Sequence, residues 1–431
     1  MVSEKVIIIK NGMLATTIKQ IVFTFTDLFK SGKYFLLNSL IEKLIYFVFF
    51  ALLARMIVPE FYGQIITVNA FSNILSSFFE FGLGFYIQRE AAVSRDKIDK
   101  IVATSIIIKI IGFFIIIPIV IVYFQNSSVS LLLILALSLI NYLVSSFSIF
   151  TGMLFGLQKF NRVFFSLLKA RVIFLLLIAL TFVLSPRFEY LISALFISTI
   201  FYGYYIVKES FQFIKPGLIK NIGLADIYSL IKLAAPFGLG VMFVWIYDRV
   251  DVLFLEKFVG LKAVADYSVA YSVYKLPMIL SGIILMPWYS KMSKEFSLKK
   301  KIEISEIESV GGMLIFIATV FILCFVLGGG EIIGLIFGGR YETSAWILTL
   351  LSIALPGLFL NNLTGVALNA IKKEKYQAYG TLTGVIFNII LGIYTIYYWG
   401  IFGAILTTIL TEYLVFLSQF IFLFKHRTSF V

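Results

Sequence analysis

The sequence predicts an all-α protein that crosses a membrane with twelve helices, arranged as two six-helix lobes of like orientation around a central cavity. Three observations predict this class. First, 60% of the 431 residues are hydrophobic and only 14% are charged, whereas soluble domains are about a quarter charged. Second, the apolar runs have the length of helices, not the alternating ten-residue pattern of barrel strands. Third, stretches six spans apart resemble one another. Residues 151–174 (TGMLFGLQKFNRVFFSLLKARVIF) and 364–387 (TGVALNAIKKEKYQAYGTLTGVIF) share an opening Thr-Gly, a basic loop at the same offset and a closing Val-Ile-Phe. VPEFYGQIITVNA from Val58 and VGLKAVADYSVA from Val259 also occupy matching places. An offset of an even number of spans gives both halves the same orientation.

Along the chain, residues 1–33 are too polar to span. Leu14, Ile18, Ile21, Phe25 and Leu28 fall on one face, which suggests an amphipathic helix on the cytoplasmic membrane surface. Val6–Ile9 is too short for the apolar core of a signal peptide. Spans follow at 34–57, 63–88, 101–124, 130–156, 163–184 and 188–208, the first lobe (34–208). A cytoplasmic linker, 209–228, leads to spans at 229–255, 264–291, 310–337, 342–371, 376–399 and 401–424, the second lobe (229–424). Each is near or above the roughly 20 residues that a crossing needs. Gly400 alone separates the last two, so they form a tight hairpin, and 425–431 is a cytoplasmic tail.

Loop charge sets the orientation. One side collects Lys5–Lys33, Arg89–Lys100, Lys159 and Arg162, Lys208–Lys220, Lys291–Lys301, Lys372–Lys375, and Lys425 and Arg427, while the other holds only Arg187, Lys257, Lys262 and Arg340. By the positive-inside rule the first side is cytoplasmic, with both termini on it. The net charge of +13 is therefore read as loops lying against anionic headgroups rather than as a nucleic-acid surface. The single Cys324 and single His426 leave neither a disulfide framework nor a His/Cys metal site. No Walker sequence is present, and no outward loop is long enough for a catalytic domain, so neither an enzyme nor a cofactor is expected.

Charges inside the apolar runs are the functional signal, because each costs roughly 2.5–3.5 kcal/mol on insertion scales unless it pairs or lines water. Asp248, Arg249 and Asp251 lie in span seven, Asp266 and Lys275 in span eight, Lys43 beside Glu42 in span one, Glu80 in span two and Glu412 in span twelve. Asp248 and Asp251, three apart, share a helix face, with Arg249 about 100° away. These groups either pair with other spans or serve transport. Lys109, Lys169 and Arg171 are near enough to the cytoplasmic side to snorkel. Asn361, Asn362 and Asn369 in span ten and Asn388 in span eleven suit helix–helix glue or a polar cavity wall. Lys43, Arg249 and Lys275 all fall in the hydrocarbon region, and nothing nearby in sequence neutralises Lys275. Desolvated cations converging on a cleft suit an anionic headgroup such as a pyrophosphate.

Leu52–Ala92, LLARMIVPEFYGQIITVNAFSNILSSFFEFGLGFYIQREAA, resembles the start of the polysaccharide and O-antigen flippase family of the multidrug/oligosaccharidyl-lipid/polysaccharide exporter (MOP) superfamily. So do Leu233–Pro277, with its Ala-Pro-Phe, Tyr-Asp-x-x-Asp and Tyr-x-x-Ala-Tyr, and Ile336–Ser352 ahead of NAIKKEKY. The resemblance covers nearly everything after residue 33 and identifies the family, not the sugar. It implies a MATE-like fold with alternating access, acting in the cytoplasmic membrane on a polyprenyl-pyrophosphate or dolichyl-phosphate-linked oligosaccharide. Lys43, Arg249 and Lys275, with Arg55 at the outer end of span one, would take the headgroup. Glu80, Asp248, Asp251 and Glu412 are the carboxylates available for a proton or sodium counter-ion or for structure, and Asn361 and Asn362 would line the cavity. The expected partners are this glycolipid and membrane lipids, with a monomeric protein. Peptidoglycan-precursor flippases of the superfamily usually have two further spans, a departure here. Two other readings stand beside this one. A drug or metabolite antiporter of the same superfamily would have an apolar pocket and one dominant carboxylate. A membrane glycosyltransferase or polymerase would need a large outward loop.

Overall fold

The computed structural model describes residues 33–93, 97–127, 129–214, 222–298 and 304–425. The surface helix expected over 1–33 and the tail 425–431 lie outside them but for Lys33 and Lys425, as do 215–221 of the expected linker. Among the described residues the fold is helical: α1 Lys33–Met56, α2 Pro59–Phe78, α3 Leu83–Val93, α4 Ile98–Tyr123, α5 Leu131–Gly156, α6 Phe160–Leu184, α7 Phe188–Phe211, α8 Leu224–Phe258, α9 Leu261–Tyr274, α10 Met278–Ser297, α11 Ile304–Phe337, α12 Glu342–Ser352, α13 Leu355–Ala370 and α14 Glu374–Lys425. A 3₁₀ turn, Gly339–Tyr341, joins α11 to α12. Among the described residues eight helices, with α9 and α10 counted together, are long and apolar enough to cross a membrane, and up to ten if each of two bent pairs counts as one span.

Local chemistry explains the ends and breaks. Pro59 opens α2, where its missing N–H is no loss, and Ser130 caps α5 by accepting the Leu133 N–H at 3.4 Å. The stretches expected as single spans 63–88, 264–291 and 342–371 are each interrupted. Between α2 and α3 the chain turns at Phe79–Gly82, with φ of 49° at Phe81 and 67° at Gly82. Between α9 and α10 it turns at Lys275–Pro277. Between α12 and α13 it bends by 51° just before Pro356. Prolines at the last two places disfavour helix in the preceding residue and supply no N–H to the ladder. α14 reverses at Gly400, φ 58°. Its arms are antiparallel: Thr395 Oγ1 lies 2.7 Å from Thr407 Oγ1 and 3.2 Å from the Gly403 carbonyl.

α8 is shared between the two halves. It bends by 47° between Leu224–Gly240 and Met242–Phe258, with Pro236 in its first arm. Ile227, Leu230, Ile231, Ala234 and Phe237 of that arm join a hydrophobic cluster whose other members all come from residues 41–214, including Leu83, Ile87, Val102, Met153 and Ile206. Asp226 pairs with Lys100 at 2.6 Å, and the Arg89 guanidinium lies 5.1 Å from the Phe237 ring centre. The second arm instead packs with α9 and α14. Where the arms meet the first half, Gly82 and Gly238 let two backbones touch: a Cβ on Gly238 would occupy the place of the Phe81 carbonyl. Gly238→Val is therefore expected to cost about 1–3 kcal/mol, as overpacking does, lowering the unfolding temperature in detergent. Gly240→Ala, whose Cβ would meet nothing, is expected to leave that temperature unchanged or higher.

Candidate functional site

The second arm of α8 runs antiparallel to α9, and the spacing of their polar residues interlocks. Asp248 and Asp251, three apart, face Tyr271 and Tyr267, four apart. The Tyr271 hydroxyl donates to Asp248 Oδ1 at 2.7 Å, and the Tyr267 hydroxyl to Asp251 Oδ2 at 3.2 Å. Lys275 stands at the C-terminus of α9, where the helix dipole favours a cation. Its Nζ lies 3.1 Å from Asp248 Oδ1 and 3.6 Å from Glu412 Oε1. Glu412, on the second arm of α14, is 1% exposed, and its Oε2 accepts the Asn361 amide from α13 at 3.1 Å. Arg249 Nε is 3.2 Å from Asp248 Oδ2, an ion-pair distance without the alignment of a hydrogen bond. The Tyr271 ring lies beneath both cations, 5.1 Å from Lys275 and 6.0 Å from Arg249.

Charge accounting separates two parts. Asp248 and Glu412 balance Arg249 and Lys275, so this quartet is formally neutral and its burial is tolerable. Lys275 is committed to two carboxylates. Arg249 is the member with donors to spare, since no aligned hydrogen bond from it forms among the described residues. Asp251 has no cationic partner there. It is 4% exposed, and its Oδ2 also receives Thr408 Oγ1 at 3.2 Å. Its Oδ1 and the nearby Asn388 Oδ1 are buried without a donor. A buried carboxylate surrounded by oxygen atoms calls for a proton or a small cation.

The other expected site residues lie elsewhere. Lys43 is exposed on α1, and no contact joins it to Arg249 or Lys275 among the described residues. Arg55, at the end of α1, donates Nε to the Ile336 carbonyl at 2.8 Å and Nη2 to the Leu335 carbonyl. Glu80 sits in the turn between α2 and α3, within electrostatic reach of Lys109. Asn362 Nδ2 is buried without a partner. The snorkelling expected of Lys109 and Arg171 does not occur. Lys109 turns inward to Ser145 Oγ at 2.9 Å, and Arg171 to Ser198 Oγ at 3.4 Å, with its guanidinium 5.3 Å from the Tyr46 ring. Hydroxyls on the neighbouring helices offer partners closer than the membrane surface. Lys169 alone of the three is exposed. Tyr267, Tyr271 and Thr408 were not singled out as site residues from the sequence. The Tyr-x-x-Ala-Tyr spacing, one helical turn, was the signal that could have matched the phenols to the aspartates.

The family model described as "Polysaccharide biosynthesis protein" matches residues 28–293, and a second, "MatE", matches 236–395. The chain is 28% identical over 174 residues to the "probable low-salt glycan biosynthesis flippase Agl15" of Haloferax volcanii, covering 39% of this chain and 36% of that one. It is 26% identical over 385 residues to a "putative O-antigen transporter" of Shigella dysenteriae, covering 84% and 91%. The chain spans less than half the length of the first curated relatives it matches. Among solved structures it superimposes on an inward-facing multidrug resistance MATE family transporter of the MOP superfamily with a TM-score of 0.71 at 13% identity, covering 90% of this chain and 95% of that one. The fold is that of the MATE transporters.

Proposed function

Because this chain belongs to the polysaccharide biosynthesis protein family, within the MOP superfamily, we propose that it flips a lipid-linked oligosaccharide, carried on a polyprenyl or dolichyl phosphate or pyrophosphate, from the cytoplasmic to the outer leaflet. In this reading the protein crosses the membrane twelve times: α2–α3 is one broken span and each arm of α14 another. Both termini are cytoplasmic. Two lobes, taking turns to open at either end, carry the headgroup past the quartet.

One observation carries the reading: Arg249 stands in a charged cluster within apolar helices, held by Asp248 yet with its donors unaligned. A guanidinium in that condition can exchange an imperfect carboxylate contact for a bidentate phosphate contact. Lys275 positions Asp248 and Glu412 and offsets part of their negative charge when Arg249 turns to the phosphate. The neutral quartet takes up an anion at less desolvation penalty than free cations would, because its charges are already paired. A drug antiporter would need no such guanidinium. Asp251 is assigned the counter-ion, a proton or sodium, on the grounds that its own Oδ1 and the nearby Asn388 Oδ1 are buried without a donor. The whole cycle then couples entry of that cation to exit of the glycolipid.

Two tests follow. A strain lacking the gene is expected to accumulate the sugar-lipid on the cytoplasmic leaflet; absence of that build-up overturns the flippase reading. Asp251→Asn, which keeps the hydrogen-bonding shape and removes the charge, is expected to make flipping in proteoliposomes indifferent to an imposed proton or sodium gradient. Retained gradient dependence would move the coupling site elsewhere.

A further inference from the structure

At the end of the molecule poor in loop cations, the two halves exchange arginines. α11 finishes at Phe337, and its last carbonyls have no partner within the helix. Gly338 N–H satisfies Gly334 O at 3.0 Å, which leaves Leu335 and Ile336. Arg55 of α1 takes both in a forked contact, Nε to Ile336 O at 2.8 Å and Nη2 to Leu335 O. The reverse exchange occurs a few residues away. α1 ends at Met56, and Arg340, in the 3₁₀ turn after α11, donates Nη1 to Ile57 O at 3.2 Å. The Tyr341 hydroxyl donates to Ala54 O at 3.2 Å. Each half thus caps the helix end of the other with a guanidinium, where the dipole of the capped helix favours positive charge. Below them the Tyr62 and Tyr341 rings meet edge to face, centroids 6.0 Å apart, and Phe47 meets Phe337 at 6.1 Å. Tyr62 is also within electrostatic reach of Arg249.

We propose that Arg55 and Arg340 form a reciprocal latch that holds this end of the transporter shut. Its polar contacts join side chains to helix-end carbonyls, and both partners can be rehydrated when the ends part, while the ring contacts beneath them are the apolar part of the closure. Charge-assisted hydrogen bonds to water then replace those to carbonyls, so the net difference between shut and open is small. Arg55 is accordingly engaged in gating rather than in taking the headgroup while this end is shut. The proposal rests on the reading that the halves separate during transport, and its first test, by labelling, does not need transport to be measured.

In the full chain with Cys324→Ser, Ala54→Cys places a thiol at a position that is wholly buried under Tyr341. Its labelling by a membrane-impermeant maleimide in oriented vesicles reads opening of this end. Arg55→Gln and Arg340→Gln are each expected to raise the labelling rate about tenfold, the worth of one charged hydrogen bond, and the pair together to raise it further. Arg55→Lys with Arg340→Lys, which keeps charge and loses the fork, should fall between. Unchanged labelling in the double Gln protein overturns the latch. Should that protein fail to fold, Ile57→Cys with Arg340→Cys, bridged by a reducible bifunctional thiol reagent, decides the matter. Expected is a transporter arrested until the bridge is reduced; undiminished export with the bridge formed overturns the proposal. If labelling responds as expected and no glycolipid moves in any protein, the latch stands and the substrate assignment falls.

Discussion

Lys275→Ala is expected to destabilise the protein by about 3–5 kcal/mol, the usual result of stranding a buried charge. The ammonium lies between Asp248 and Glu412, and Glu412 is 1% exposed. Without Lys275, Glu412 keeps the neutral Asn361 amide and no cation among the described residues, and Asp248 keeps Tyr271 and an unaligned Arg249. The measurement is thermal unfolding in detergent beside the yield of folded protein. Lys275→Ala with Glu412→Gln removes the stranded carboxylate along with its partner, so it is expected to recover much of the loss. Recovery of that kind distinguishes an electrostatic role from lost packing, because the double change removes more of the native side chains yet less stability. Equal loss in single and double variants would show that Glu412 does not depend on Lys275.

Arg249→Ala is expected to differ: a smaller loss of stability than Lys275→Ala and a large loss of flipping. Asp248 retains both the Lys275 ammonium and the Tyr271 hydroxyl, so losing the guanidinium, which leaves the group one negative charge in excess, should cost about 1–3 kcal/mol. Two charge-assisted hydrogen bonds to a phosphate, at roughly 1.5–3 kcal/mol each, would be lost in transport. That corresponds to at least about a hundredfold slower movement of a pyrophosphoryl glycolipid in proteoliposomes. Arg249→Lys should restore only part of the rate, since a point charge cannot make the fork. Wild-type flipping by Arg249→Ala would leave the cluster a purely structural one.

The contrast between these two cations marks where sequence reasoning stopped. Both were conspicuous as charges in apolar segments, and so were Asp248, Asp251 and Glu412. Helical spacing even placed Asp248 and Asp251 on one face, which the structure turns toward Tyr271 and Tyr267. What spacing could not say is that Lys275 is held by a carboxylate on α14, or that Arg55 caps a helix end 280 residues away. Lys109 shows the same limit from the other direction. Its distance from the basic side suggested snorkelling, but a serine on α5 lies within reach inside the bundle.

Residue composition and the lengths of apolar runs by themselves determined a helical membrane protein with charges in its spans. Burial of apolar side chains is close to additive along a chain and needs no knowledge of neighbours. The hairpin at Gly400 was equally legible, because a lone glycine between two spans leaves no other path. Tertiary structure alone decided which charges are neutralised, which donors stay free, and how the halves hold each other at one end. Electrostatic and hydrogen-bond energies depend on separations of a few ångströms between side chains from different helices. Helical periodicity states which way a residue points, and only packing states what it meets there.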